Sequence, residues 1–247
     1  MMTTLQHQLF DLLQMWKFER PAFADLGEAV PDEPIVHAVS DVSQERVVGI
    51  TSRHLFTVDF EAARIQVVGE IPGFGRLAVA SNGSIVGLDG MDHLWSYNPQ
   101  SQVLHREAFK LPGGAWGNAP LIWARDRRKG LLYTADKSGH IFSFDPERGF
   151  SPSLGKVMFA PVGPMAVTSD GRLFGFCGDG IAKMFCYDPG RRDITDLGAA
   201  VSVLERRRYG FVFGDAVTGR GGEIIFGEDD DLGHLWLYFP STLTART

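Results

Sequence analysis

One heptad recurs five times in this chain of 247 residues. It reads HLFTVDF from His54, HLWSYNP from His93, HIFSFDP from His140, KMFCYDP from Lys183 and HLWLYFP from His234. The five starts lie 39, 47, 43 and 51 residues apart. A period of this size, carried by short apolar-aromatic runs, is the mark of radially repeated β-sheets. The expected class is all-β, and the expected fold is a β-propeller of four-stranded antiparallel blades.

Each repeat divides into four strand signals, A to D from the axis outward. In the second repeat, strand A is Leu77 to Ala80 and the turn is Ser81-Asn82-Gly83. Strand B follows from Ser84 to Leu88, the heptad is strand C, and strand D runs from about Val103 to Lys110. Asn-Gly between apolar runs is a hairpin signal, because tight turns need residues that accept positive φ. The Asn-Pro or Asp-Pro after strand C ends the ladder, since proline has no N–H to donate. The last repeat stops near Pro240 without an outer strand. Phe23 to Pro31 repeats the strand-D pattern of Thr195 to Val201, so residues 22–30 are expected to close the ring onto the last blade. This gives a single domain over 1–247, with five blades near 35–72, 73–112, 113–160, 161–207, and 208–240 plus 22–30. Residues 1–14 form an N-terminal extension, with a short helix expected over Thr4–Leu13. Met15 to Pro21 imitates strand C, which keeps a six-bladed ring open as the alternative.

Net charge is −6, which disfavours a nucleic-acid backbone as partner. The basic cluster Arg125–Lys129 and the triplet Arg206-Arg207-Arg208 read as solvated loops. No signal-like h-region and no apolar run of membrane-spanning length is present, so the expectation is a cytoplasmic protein with no membrane partner. Cys177 and Cys186 are expected as buried free thiols.

Four repeat starts are histidines, at mid-radius on the face of the disc that carries the B–C and D–A loops. Their expected role is to hydrogen-bond turns above the aromatic layer; the competing role is a ring of ligands. Acids follow strand B at Asp89, Asp136, Asp179 and Glu228 to Asp231. Aspartate is a common turn former. His93, Asp89 and Asp136 are nevertheless the candidates for acid–base chemistry. Glu228, Asp229, Asp230 and Asp231 are the candidates for holding a divalent cation, and no other metal site or cofactor is expected. The D–A loops lead onto the inner strands and carry aromatics beside glycine, arginine and asparagine. Phe74, Arg76, Trp116, Asn118 and Tyr209 are therefore expected to bind a small polar, carbohydrate-like ligand or a protein partner at the channel mouth.

With the repeats aligned, Asp170-Gly171-Arg172-Leu173-Phe174 and Gly139-His140-Ile141-Phe142-Ser143-Phe144-Asp145-Pro146 resemble a repeat pattern of bacterial propellers. That pattern is similar to those of quinoprotein-like, streptogramin lyase-like and gluconolactonase-like propellers and of propeller scaffolds. The resemblance implies the fold and two kinds of function. The first is a non-catalytic binding or scaffold propeller. The second is a lyase or hydrolase with His/Asp acid–base groups at the channel mouth, assisted by a divalent cation.

Overall fold

The computed structural model describes residues 25–41, 46–72, 75–90, 92–116, 120–202, 206, 210–230 and 232–240. It is a five-bladed β-propeller, each blade an antiparallel sheet of consecutive strands. Blade 1 holds β1 (Ile35–Asp41), β2 (Arg46–Thr51), β3 (His54–Asp59) and β4 (Arg64–Glu70). Blade 2 holds β5 (Ala78–Val79), β6 (Ile85–Asp89), β7 (His93–Asn98) and β8 (Val103–Lys110). In blade 3, β9 (Ala124–Asp126), β10 (Leu131–Ala135) and β11 (His140–Asp145) are followed by an outer edge in two pieces. These are β12 (Gly149–Phe150) and β13 (Gly155–Lys156), both paired to β11. Blade 4 holds β14 (Val162–Val167), β15 (Leu173–Cys177), β16 (Lys183–Asp188) and β17 (Asp193–Ala199). Blade 5 holds β18 (Phe213–Thr218), β19 (Ile224–Glu228) and β20 (Leu235–Tyr238).

Strand alternation sends neighbouring side chains to opposite faces of each blade, where they meet the next blade. Four hydrophobic clusters result among the described residues. Ile50, Leu55, Leu77 and Trp95 pack between blades 1 and 2, and Leu88, Leu94, Phe142 and Phe144 between blades 2 and 3. Tyr133, Met165, Phe185 and Tyr187 pack between blades 3 and 4, and Phe174, Phe176, Phe213 and Phe226 between blades 4 and 5. The heptad supplies the centre of this packing. Its third residue is Phe56, Trp95 or Phe185, and the strand-B residue opposite is Gly49, Gly87 or Gly175. Each ring lies directly over that glycine, so an added Cβ would overlap it.

Among the described residues none of these clusters joins blade 5 to blade 1. Among the described residues blade 5 has three strands, and β20 is its edge. Leu235 and Leu237 on that edge are 72% and 60% exposed. Of the segment 22–30 expected to close the ring, residues 22–24 lie outside the described residues and 25–30 carry no strand. Local bonds occupy the backbone there. Gly27 N–H donates to the Asp25 carboxylate, Asp32 N–H to Glu28, and Glu33 N–H to Val30 O. The chain then turns onto blade 1, where the buried Glu33 carboxylate accepts from Thr51 and meets His54. The helix expected over Thr4–Leu13 and the strand-C mimic Met15–Pro21 lie outside the described residues. Cys177 and Cys186 are buried and free.

Candidate functional site in the channel

The inner strands β1, β5, β9, β14 and β18 frame the channel, entering from the D–A loops and leaving at the A–B turns. Arg76, immediately ahead of β5, spans the D–A end. Its Nη2 donates to Gly214 O at 2.8 Å and its Nη1 pairs with Asp215 Oδ1 at 3.2 Å, both on blade 5. The Trp123 indole N–H donates to Arg76 O at 3.2 Å, which brings blade 3 into the same junction. On blade 1, His37 Nδ1 accepts the Leu77 N–H at 3.3 Å. Burial holds the His37 pKa below its ordinary value, and repulsion from Arg76 adds to this while Asp215 opposes it. The ring therefore stays neutral and keeps its acceptor nitrogen.

Toward the A–B end, blades 3, 4 and 5 line a cavity of ≈ 400 Å³. Trp123, Arg125, Arg128, Met165, Thr168 and Thr218 are among its walls. Alternation along β9 buries Ala124 and Asp126 against blade 4 and leaves Arg125 exposed. Asp126 Oδ1 accepts the N–H groups of Arg128 and Lys129, shaping the turn that presents Arg127 and Arg128 at the mouth. Arg128 Nη1 donates to Ser169 O on blade 4. Thr218 donates to Val167 O, so the hydroxyl links blade 5 to blade 4. Volumes of about 300–1,000 Å³ with apolar walls and a few polar groups are those of small-molecule sites.

Of the five residues expected to bind ligand, Phe74, Asn118 and Tyr209 lie outside the described residues. Arg76 forms the cross-channel tie. Trp116 is buried, its indole N–H donates to Pro112 O at 2.7 Å, and its ring packs on Phe142 and Phe150.

The candidate acid–base residues each have local partners. Asp89 takes Arg106 through Nε at 2.9 Å and Nη2 at 2.7 Å, and accepts Glu107 N–H at 2.7 Å. Burial pushes the Asp89 carboxyl up, but Arg106 and the Glu107 N–H outweigh it and hold the pKa below the usual range. His93 meets Asp92 instead, at 2.9 Å. Asp136, on blade 3, accepts the N–H groups of Ala115, Ser138 and His140. Burial raises its pKa, and the His140 and Ala115 N–H groups, followed by the His140 ring, bring it below the ordinary value.

The repeated heptad position follows one rule. His54 meets Glu33 at 2.9 Å, His93 meets Asp92 at 2.9 Å, and His140 meets Asp136 at 3.2 Å. His234 meets Glu228 at 3.0 Å, and Lys183 meets Asp196 at 2.7 Å. In the acidic run, Glu228 spends one oxygen on the Trp236 indole N–H and the other on His234. Asp230 accepts the Leu232 and Gly233 N–H groups, the Asp229 side chain packs beside Gly214, and Asp231 lies outside the described residues. Among the described residues no group of three or more His, Cys, Asp or Glu side chains is set to hold a metal ion.

Sequence reasoning placed interest at the D–A loops and missed the cavity wall. Trp123, Arg125 and Thr168 stand on or beside inner strands, and their register in the alternation of β9 and β14 is the signal that would have found them.

No family model matches the chain, and no curated protein matches it. Solved structures do. Virginiamycin B lyase from Staphylococcus aureus is similar at a TM-score of 0.59 and 11% identity, over 86% of this chain and 72% of that one. The extracellular domain of a putative hybrid two component system from B. thetaiotaomicron is similar at 0.63 and 12%, over 90% of this chain but 28% of that one. A putative gluconolactonase is similar at 0.55 and 13%, over 87% and 78%. Identities this low carry the architecture and not the chemistry. By both its own sheets and these likenesses, the chain is a β-propeller.

Proposed function

We propose that this chain is a non-catalytic binding propeller whose channel receives a small polar, carbohydrate-like ligand from the A–B side. The observation that carries the reading is the ≈ 400 Å³ cavity, walled by Trp123 and by polar groups from three blades, below the tie made by Arg76. An indole face suits the apolar side of a sugar ring, and the threonine and arginine groups around it suit hydroxyls. The binding reading is favoured over a lyase or hydrolase because Asp89 and Asp136 are committed to arginine and backbone N–H partners on separate blades. A general base must reach the proton that it takes.

The test is a calorimetric and ligand-observed NMR screen of mono- and disaccharides and their acidic and phosphorylated derivatives. It uses the wild type and the channel-filling variant Thr218→Trp. Binding to the wild type and its loss in the variant are expected. Binding that survives Thr218→Trp, or chemical conversion of the bound compound, overturns the reading.

A further inference from the structure

The cavity mouth differs in charge from the rest of the molecule. The chain has fewer cations than anions, 24 against 30, yet four cations fall within Arg125 to Lys129. From sequence this run reads as a solvated loop; in the fold it is the blade 3 lip of the channel. Arg125, Arg127 and Arg128 all line the cavity. Among the described residues none of the three has a carboxylate in ion-pair contact; Arg128 uses one Nη to bond a carbonyl. Asp126, inside the run, does not neutralise them by contact. Its Oδ1 is spent on the turn N–H groups, and its Oδ2 is buried with no hydrogen-bond partner among the described residues. On the blade 4 lip, Arg172 is already paired with Asp170 at 2.7 Å. Three guanidinium groups within four residues, one on β9 and two on the turn after it, repel one another, and a bound anion relieves that repulsion. The planar fork of arginine also fits a carboxylate or phosphate with two parallel hydrogen bonds.

We infer that the channel ligand is an anion: a hydroxylated small molecule bearing a carboxylate or phosphate group, with that group held by Arg125 and Arg127 and its body against Trp123. This inference rests on the channel-binding reading above. It adds that charge selects the ligand.

Isothermal titration of the full chain with glucose, glucuronate, glucose 6-phosphate and inorganic phosphate tests it, with the two sugar anions separating a carboxylate from a phosphate source. At least one sugar anion is expected to bind about tenfold or more tighter than glucose. That advantage should shrink in about 0.5 M salt. It should also be lost in the double variant Arg125→Gln/Arg127→Gln, whose exposed side chains can change without disturbing the core. Equal binding of glucose and both sugar anions overturns the inference and leaves the channel reading intact. So does an anion preference that persists in the double variant. Inorganic phosphate binding as tightly as the sugar anions also overturns it, since the body of the ligand would then contribute nothing. No binding by any probe, neutral or charged, counts against both.

Discussion

Thr134 is wholly buried in β10, opposite Phe142, and its hydroxyl has no hydrogen-bond partner among the described residues. A buried hydroxyl left unpaired costs roughly 1–3 kcal/mol, and valine has nearly the same shape. Thr134→Val is therefore expected to raise stability by about 1 kcal/mol in urea denaturation. A comparable loss of stability would mean that the hydroxyl is satisfied in solution. The repeated imidazoles are the opposite case, since each has a carboxylate at hand. The sequence already displayed their common position and the acids after strand B, and a turn-bonding role follows from those two facts. What it hid was the pairing scheme. His140 turns to the acid at the end of its own blade's strand B, His93 to its chain neighbour Asp92, and His54 to Glu33 from the incoming chain. Such choices depend on side-chain direction, which residue spacing does not encode.

At the level of the strand pair, the blade is organised by an aromatic ring laid across a glycine. Met165 Cγ and the Phe185 ring would both come within 3.0 Å of a Cβ added at Gly175, and Trp95 covers Gly87 more closely still. Gly87→Ala should therefore behave as overpacking, costing about 1–3 kcal/mol. In a scanning melt this is a fall of several degrees, at about 2–4 °C per kcal/mol for a chain of this size. An unchanged melting temperature would show that Trp95 can withdraw without loss. The strands, their order and the five-fold repeat were readable because period-two alternation and Gly/Asn/Pro turns are local signals. The cavity was not, because its wall joins β9, β14 and β18, which meet through the ring geometry. Arg76 shows the limit best. Its residue type and loop context suggested ligand binding, whereas its bonds to Gly214 and Asp215 depend on a blade well over a hundred residues away.

Across the whole molecule, the perturbed titrations combine into one stability profile. Asp89, Asp136 and Asp170 have pKa values lowered in the folded state: burial opposes the shift, but the bonds to each carboxylate outweigh it. Their contribution is present above the unfolded carboxylate range of about 4 and is lost as pH falls through it. His37 is also lowered, by burial first, so its contribution is lost as pH falls below about 6.5. On the alkaline side, burial pushes Cys186 up to about 11 and Tyr133 up to about 12. Their contribution declines as pH climbs past the unfolded values of about 8.5 and 10. Melting temperature should therefore form a plateau between about pH 6.5 and 8.5, with a shallow acid shoulder that His37→Gln removes and a steep fall near pH 4. A higher melting temperature at pH 5 than at pH 7 would contradict this assignment. The Arg76 tie, finally, has a bearing on the order in which the molecule is made. Among the described residues every strand pairing lies within one blade and joins strands close together in the chain, so each blade can assemble from a short stretch as it leaves the ribosome. The bond from Arg76 to Gly214 joins residues 138 apart, and it cannot form until the last blade exists. It is the clasp of the ring, fastened after the blades have folded, and a chain cut short before Gly214 would keep its early blades while leaving the channel without that clasp.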